Sequence, residues 1–190
     1  MSEDTLGSQL LLLARNAIAG ALALPLSPLP KESAGDTARL DAPGATFVTL
    51  TQQGALRGCI GTLAAGRRAL RQDVMENARS AALRDSRFPP LSPEEFETTR
   101  VEVSLLSEPE FMAFASETDA LSQLVPGIDG IILMHACHRA TFLPQVWESL
   151  PEPQAFMRQL KKKAGLREDF WSPDILLARY QVQKWQEARP

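Results

Sequence analysis

The stretch Leu56-Arg57-Gly58-Cys59-Ile60-Gly61 sets one of the two cysteines of this chain between two glycines. Its composition is typical of an extended strand, in which successive side chains point to opposite faces. Regular alternation predicts an apolar face and a face that carries the thiol and the guanidinium: Leu56, Gly58 and Ile60 on the first, and Arg57, Cys59 and Gly61 on the second.

Two interpretations of Cys59 follow from this predicted strand. A nearby arginine favours the thiolate, which is the form in which cysteine acts as a nucleophile or a metal ligand. Glycines carry no side chain, so a ligand or another backbone can approach the strand closely. A free cysteine, however, is among the most buried residue types and often behaves as a small apolar residue of a core. The hexapeptide alone leaves both interpretations open.

The bulk composition indicates a folded globular protein. The chain has 190 residues, of which 44% are hydrophobic and 23% charged, and a formal net charge of −3. This length is sufficient for one domain with a sizeable core. The acidic balance gives no reason to expect nucleic-acid binding. Two cysteines are too few for a disulfide framework and fit a reducing compartment.

The apolar run from residue 10 to residue 24 needs a separate explanation. It is shorter than the roughly 20 apolar residues of a membrane span, and it contains Arg15. It also follows an acidic start, whereas a signal peptide has a basic one. We therefore predict a helix capped by Ser8 that packs on the core, in a cytoplasmic protein without a membrane anchor.

The remaining patterns predict an α+β fold with a mainly antiparallel sheet flanked by helices. Residues 25–44, rich in proline, are expected to form a surface loop. Two hairpins are predicted over 45–61 and 130–143, and a last strand over Ala178–Trp185. Helices are predicted over 67–83, from Ser92, over 116–125 and over 154–164.

Few motifs of known chemistry are present in the sequence. It lacks the glycine-rich phosphate loops G-x-x-x-x-G-K-[ST] and G-x-G-x-x-G. His135, Cys137 and His138 are the densest set of soft metal ligands. Cys59 could join His135 and Cys137 as a third ligand if the two hairpins pack together. Zinc sites need four ligands, or three and a water molecule, so we expect neither a metal nor another cofactor. A nucleophilic pair of Cys59 with His135 or His138 stays open, since it depends on proximity.

Several segments, in order along the chain, resemble the AMMECR-type domain, also called AmmeMemoRadiSam system protein A. The hexapeptide matches the hallmark motif of that family. The other matching segments are Ala81-Ala82, Asp85-Ser86-Arg87-Phe88-Pro89-Pro90, Val101-Glu102-Val103-Ser104-Leu105-Leu106, Gly130-Ile131, Phe142-Leu143-Pro144-Gln145-Val146 and Lys163-Ala164-Gly165-Leu166. The chain departs from the family in having Trp147-Glu148-Ser149-Leu150-Pro151 where many members are rich in glycine and tryptophan.

The resemblance implies a single domain over residues 8–186, with short termini at 1–7 and 187–190. It implies an α+β fold with two lobes and a cleft between them, and a cytosolic location. It also implies two partners, a Memo-like protein with a dioxygenase-type fold and a radical-SAM enzyme. A role of the family's cysteine in modifying a nucleotide or base is a proposal attached to the family.

Two functions are weighed on these residues. The first is an enzyme in which Cys59 is the nucleophile, Arg57 its activator and Glu102 a proton-transfer group. Its substrate is a small molecule that the following residues would bind: Gly58, Gly61, Asp85 and Arg87. The second is a binding or adaptor module in which Cys59 packs in the core and the arginines hold structure or a partner's carboxylates. Nucleic-acid binding is the weakest interpretation, because only 6% of the residues are aromatic.

Overall fold

A computed structural model describes residues 3–63, 65–66 and 68–188 of the chain. It consists of two compact units: the first extends to Leu106 and includes the chain again from Gln183, and the second comprises Ser107–Val182. Each unit contains a four-stranded sheet and helices. The predicted α+β class with mainly antiparallel pairing is confirmed. None of the described helices is long and apolar enough to span a membrane.

The helices and strands follow one another in this order: α1 (Glu3–Ala21), α2 (Ala34–Asp41), β1 (Ala45–Gln52), β2 (Ala55–Gly61), α3 (Leu70–Leu83), α4 (Pro93–Thr98), β3 (Thr99–Leu106), β4 (Glu110–Phe111), α5 (Glu117–Ser122), β5 (Gly130–His135), β6 (His138–Phe142), a 3-10 helix (Pro144–Glu148), α6 (Pro153–Lys163), β7 (Leu176–Tyr180) and β8 (Val182–Gln186). The sheet of the first unit has the order β2-β1-β3-β8, and the sheet of the second has the order β4-β7-β5-β6.

The core of the first unit lies between one face of its sheet and the helices α1 and α3. Alternate residues of β1 and β3 point into it, among them Val48, Leu50, Val101 and Val103. Small and aliphatic residues of the helices meet them, including Ala14, Ile18, Val74 and Ala78. Full burial of each large aliphatic side chain stabilises the fold by about 1.5–3 kcal/mol. The side chains on the opposite face of the sheet, among them Thr49 and Glu102, take no part in this core.

A buried polar network joins α3 to the hairpin of β1 and β2. The carboxylate of Asp73 accepts hydrogen bonds from the backbone amide of Thr46 at 2.9 Å and its hydroxyl at 2.7 Å. The hydroxyl of Thr62, just after β2, donates to the same carboxylate at 2.8 Å, and Asn77 adds a bond at 3.0 Å. A buried carboxylate is tolerated when it is satisfied in this way. These bonds fix the hairpin against the helix.

The second unit packs α6 and the 3-10 helix on its own sheet. The rings of Trp147 and Phe156 stack with their centroids 3.8 Å apart. Lys161 of α6 is only 1% exposed, and its ammonium group donates to Glu117 at 2.5 Å. Burial of an ammonium group requires such a partner. The ion pair therefore holds α5 against α6.

Three local predictions differ from the structure. The first helix begins at Glu3, five residues before the predicted cap Ser8. The proline-rich segment contains a helix, α2, whose N-cap Ser33 accepts a hydrogen bond from the amide of Asp36. The predicted last strand is two strands, because the chain passes from the second sheet to the first at Gln181. Alternation along the sequence does not reveal such a change of sheet.

Candidate functional site

Strand β2 does not alternate regularly, because a bulge interrupts its pairing with β1. Leu50 lies opposite Gly58 and Thr51 opposite Leu56, so Arg57 has no partner residue of its own. An extra residue shifts the alternation of side chains by one position. Leu56 thus lies on the face of Cys59 and is 43% exposed. The predicted division of the hexapeptide into two faces is wrong for Leu56 and Arg57.

Arg57 is held by the helix α4. Its side chain is 9% exposed, and it donates to both oxygens of Glu95, from Nε at 3.1 Å and from Nη2 at 2.9 Å. Hydrogen bonds from Arg57 and from the Ser92 amide lower the pKa of Glu95. The third nitrogen of Arg57, Nη1, is buried and has no partner among the described residues. Arg57 therefore anchors α4 to β2.

A groove of about 490 Å³ lies beside this ion pair. The residues that line it come from the end of the first hairpin and from α4: Gln52, Gln53, Ala55, Leu56, Arg57, Glu94, Glu95 and Thr98. Cys59 does not line the groove. The cavity and the thiol are thus separate features of the first unit.

Cys59 lies in a row of polar residues that crosses the sheet on the face opposite the core. Its Sγ is 3.3 Å from Oγ1 of Thr49, which is its partner residue on β1. Thr49 is also directly opposite Glu102 of β3. On β8, Nζ of Lys184 lies 4.0 Å from the Glu102 carboxylate. Two strand spacings, about 10 Å, separate the backbone of Cys59 from that of Glu102, so the fold aligns these two predicted site residues.

Asp85 and Arg87 fix the backbone of Cys59 from the open side of β2. The Asp85 carboxylate is buried, and it accepts a hydrogen bond from the Cys59 amide at 2.9 Å. It also accepts bonds from the Arg87 side chain, from Nε at 2.9 Å and from Nη2 at 2.6 Å. Nη2 of Arg87 donates in addition to the Cys59 carbonyl at 3.3 Å. Both outward backbone groups of Cys59 are thereby satisfied.

The electrostatics of this clamp predict a pH dependence of stability. The side-chain bonds from Arg87 hold the pKa of Asp85 well below its usual range, with a further contribution from the Cys59 amide, against the opposing effect of burial. A carboxyl group whose pKa is lower in the folded state stabilises the fold above its unfolded pKa. We expect the difference in unfolding free energy between wild type and Asp85→Asn to be largest near neutral pH. It should shrink as the pH falls below about 4.

Urea unfolding of both proteins at a series of pH values measures this difference. Glu187 provides a control of opposite sign, because burial raises its pKa despite a bond from the Val101 amide. The difference between wild type and Glu187→Gln should move in favour of the wild type as the pH falls toward 4.5. A wild-type advantage over Asp85→Asn that stays constant down to pH 3 would contradict the assignment for Asp85.

The two glycines of the hexapeptide make room for protein atoms. A Cβ atom on Gly58 would lie 2.2 Å from the backbone oxygen of Ala81 in α3. A Cβ atom on Gly61 would lie 2.2 Å from the ring of Phe47. Of the two kinds of neighbour that sequence reasoning allowed, a ligand or a backbone, the structure places a backbone beside Gly58.

The remaining candidate residues lie in the second unit. Nδ1 of His138 is 2.8 Å from the carbonyl oxygen of Ala164, and the ring of His135 packs edge-on against Phe170. Cys137 is an exposed free cysteine. In the described residues, no three histidine, cysteine or acidic side chains are grouped closely enough to hold a metal ion.

Sequence reasoning missed three residues of the site. Thr49 lies opposite Cys59 because of the bulge; a regular hairpin with its turn at Gln53-Gly54 would set Thr49 opposite Gly58 instead. Glu95 carried the signal of a capping box, S-P-E-E from Ser92, but that signal does not reveal its bond to Arg57. Nothing in the sequence pairs Lys184 with Glu102, which lies 82 positions earlier in the chain.

Comparison with known proteins gives consistent matches over most of the chain. Residues 11–185 match the family model described as AMMECR1. A protein of Methanothermobacter thermautotrophicus is 39% identical over 147 residues, which cover 74% of this chain and 74% of that protein. A protein of Methanosarcina acetivorans is 33% identical over 192 aligned positions, covering 100% of this chain and 96% of its own length.

A solved structure shares the fold. The crystal structure of an uncharacterised protein from Pyrococcus horikoshii superposes with a TM-score of 0.79 at 28% sequence identity. The match covers 98% of this chain and 93% of that protein.

Proposed function

The chain belongs to the AMMECR1 family, and we propose that it is a thiol-dependent enzyme whose nucleophile is Cys59. The observation that supports this most directly is the row of Cys59, Thr49 and Glu102 across the sheet. It puts a thiol, a hydroxyl and a carboxylate on one face, opposite the core. Nucleophilic cysteine sites need these components: a thiol, a proton acceptor and a group that orients the thiol.

In the proposed step, the thiol proton of Cys59 passes to the Thr49 hydroxyl, 3.3 Å from the sulfur. Glu102, on the residue opposite Thr49, turns its carboxylate from Lys184 toward that hydroxyl and takes the proton. The electron pair left on sulfur forms a bond to an electrophilic carbon of the substrate. The bond from that carbon to its leaving group breaks, and the leaving group takes the proton from Glu102. Asp85 and Arg87 hold the Cys59 backbone during this step.

Arg57 has a different role in this proposal from the one its sequence position indicated. Its guanidinium is paired with Glu95, so it holds the strand and α4 together rather than activating the thiol. The family resemblance adds two further proposals: the enzyme acts together with a Memo-like protein and a radical-SAM enzyme, and its substrate is a nucleotide or base.

An alkylation experiment tests whether Cys59 reacts in the folded protein. In the Cys137→Ala background, Cys59 is the one remaining cysteine, and peptide mapping reports its modification by iodoacetamide. We expect a rate that low, non-denaturing concentrations of urea leave unchanged, because the reaction needs no unfolding. Thr49→Val should lower this rate several-fold, because the sulfur loses its hydroxyl neighbour.

An alkylation rate that increases with urea would support the second function, a binding or adaptor module. If the rate rises with urea in step with the unfolding equilibrium, Cys59 is reached only when the chain unfolds. The proposed enzyme would then be excluded. The specific observation in favour of an adaptor is that the groove of about 490 Å³ lies beside Arg57 and Glu95, and Cys59 does not line it.

A further inference from the structure

The hydrogen-bond donors of Arg87 are only partly used by the protein. A guanidinium carries five N–H donors: one on Nε and two on each terminal nitrogen. The donor on Nε and one on Nη2 go to Asp85, and the other on Nη2 goes to the Cys59 carbonyl. The two N–H donors of Nη1 are therefore left without a partner among the described residues.

These two donors are accessible to a ligand. The side chain of Arg87 is 54% exposed, in contrast to that of Arg57, whose unpartnered Nη1 is enclosed by protein. Both guanidinium groups lie near the ring of Phe88, with Cζ at 5.5 Å for Arg87 and 5.9 Å for Arg57. Of these two arginines, Arg87 is the one that can receive a partner from solution.

The position of this exposed guanidinium is fixed. A surface arginine ordinarily samples many rotamers, and ordering it costs conformational entropy. Here the buried Asp85 carboxylate binds two of its nitrogens, so that cost is met during folding rather than on ligand binding. The same group is tied to the backbone of Cys59. The result is a preorganised cation beside the proposed nucleophile.

We propose that Arg87 makes this site selective for anionic substrates, in which a carboxylate or phosphate group lies near the carbon that Cys59 attacks. Guanidinium groups bind both anions through directional N–H bonds. This inference rests on the proposed role of Cys59 as the nucleophile. Since Asp85 offsets much of the charge of Arg87, the effect is expected as selectivity between substrates rather than as tight binding of simple anions.

Two reagents that differ in charge test the inference. Iodoacetate and iodoacetamide alkylate cysteine by the same displacement of iodide, but only iodoacetate carries a carboxylate. In the Cys137→Ala background, the ratio of the two rates at Cys59 measures the preference for an anion. We expect Arg87→Gln to lower this ratio about three- to tenfold, as the loss of one nearby charge predicts.

Two further variants test whether the ratio falls for a reason other than the loss of the Arg87 guanidinium. Arg84→Gln removes the same charge from a more exposed arginine close by in the chain, and it should leave the ratio unchanged. Arg87→Gln also leaves Asp85 without its partner, and a bare carboxylate would repel iodoacetate. The double variant Asp85→Asn/Arg87→Gln has the same net charge as the wild type. Its ratio should stay below the wild-type value if Arg87 attracts the anion.

The outcomes separate this inference from the proposed function. If Cys59 does not react with iodoacetamide in the folded protein, the proposed nucleophile fails, and the inference with it. If iodoacetamide reacts normally but the double variant regains the wild-type ratio, Arg87 only compensates Asp85 and the inference alone is overturned.

Discussion

Replacement of Gly58 by alanine is expected to lower the free energy of unfolding by about 3 kcal/mol or more, at the upper end of what overpacking costs. The added methyl group would lie 2.2 Å from the carbonyl oxygen of Ala81. That oxygen belongs to the backbone of α3, so it cannot swing aside as a flexible side chain would. Relief requires the strand and the helix to separate, which opens the core between them.

Urea unfolding followed by tryptophan fluorescence measures this loss. Gly66→Ala is the control, because no atom of the described residues outside its chain neighbours lies within 4 Å of the position that its Cβ would occupy. That variant should stay within about 0.5 kcal/mol of the wild type. If Gly58→Ala were as stable as the wild type, the backbones of β2 and α3 could not lie as close together as the 2.2 Å distance requires.

Glu95→Gln is expected to cost about 2–4 kcal/mol, because it leaves the buried guanidinium of Arg57 without a countercharge. Arg57 is the more buried partner of this pair: its side chain is 9% exposed, whereas that of Glu95 is 38% exposed. Solvent near the carboxylate therefore weakens the pair, and we place the effect below that of a fully buried ion pair. Glutamine can still accept the capping-box bond from the Ser92 amide, but a neutral acceptor makes this bond weaker, which contributes to the same change.

A double-mutant cycle isolates the ion pair from these other contributions. Arg57→Met keeps most of the volume of the side chain, and Arg57→Met/Glu95→Gln removes both charges. We expect the double variant to be more stable than the sum of the two single changes predicts, since neither residue is then left unpaired. Glu94→Gln, next to Glu95 on α4, is the control for a carboxylate without this partner. Additivity of the two changes would argue against the pair.

Local patterns were sufficient for much of the fold. The hairpin around Gln53 and the helix capped by Ser92 were predictable, since each depends on residues close in sequence. The α+β class follows from the mixture of such elements. The division of Ala178–Trp185 between two sheets was not predictable, because the residues on both sides of Gln181 alternate in the same way.

The candidate site was predictable in its members more than in its geometry. Cys59 and Glu102 were selected from the sequence, and the sheet register sets both opposite Thr49. The partner of Arg57 was not predictable, because one extra residue in β2 reverses the alternation and no local signal marks the bulge. The link from Asp85 to the Cys59 amide spans 26 positions, and such long-range contacts depend on how α3 packs against the strand.

The clamp on Cys59 also affects how molecules of this protein meet one another. Strand β2 is the last of its sheet, and the free backbone groups of a terminal strand can recruit a strand from another chain. At Cys59 these groups are already bound to Asp85 and Arg87. The two side chains thus take the place of a neighbouring strand, and they oppose intermolecular pairing at the segment that carries the thiol.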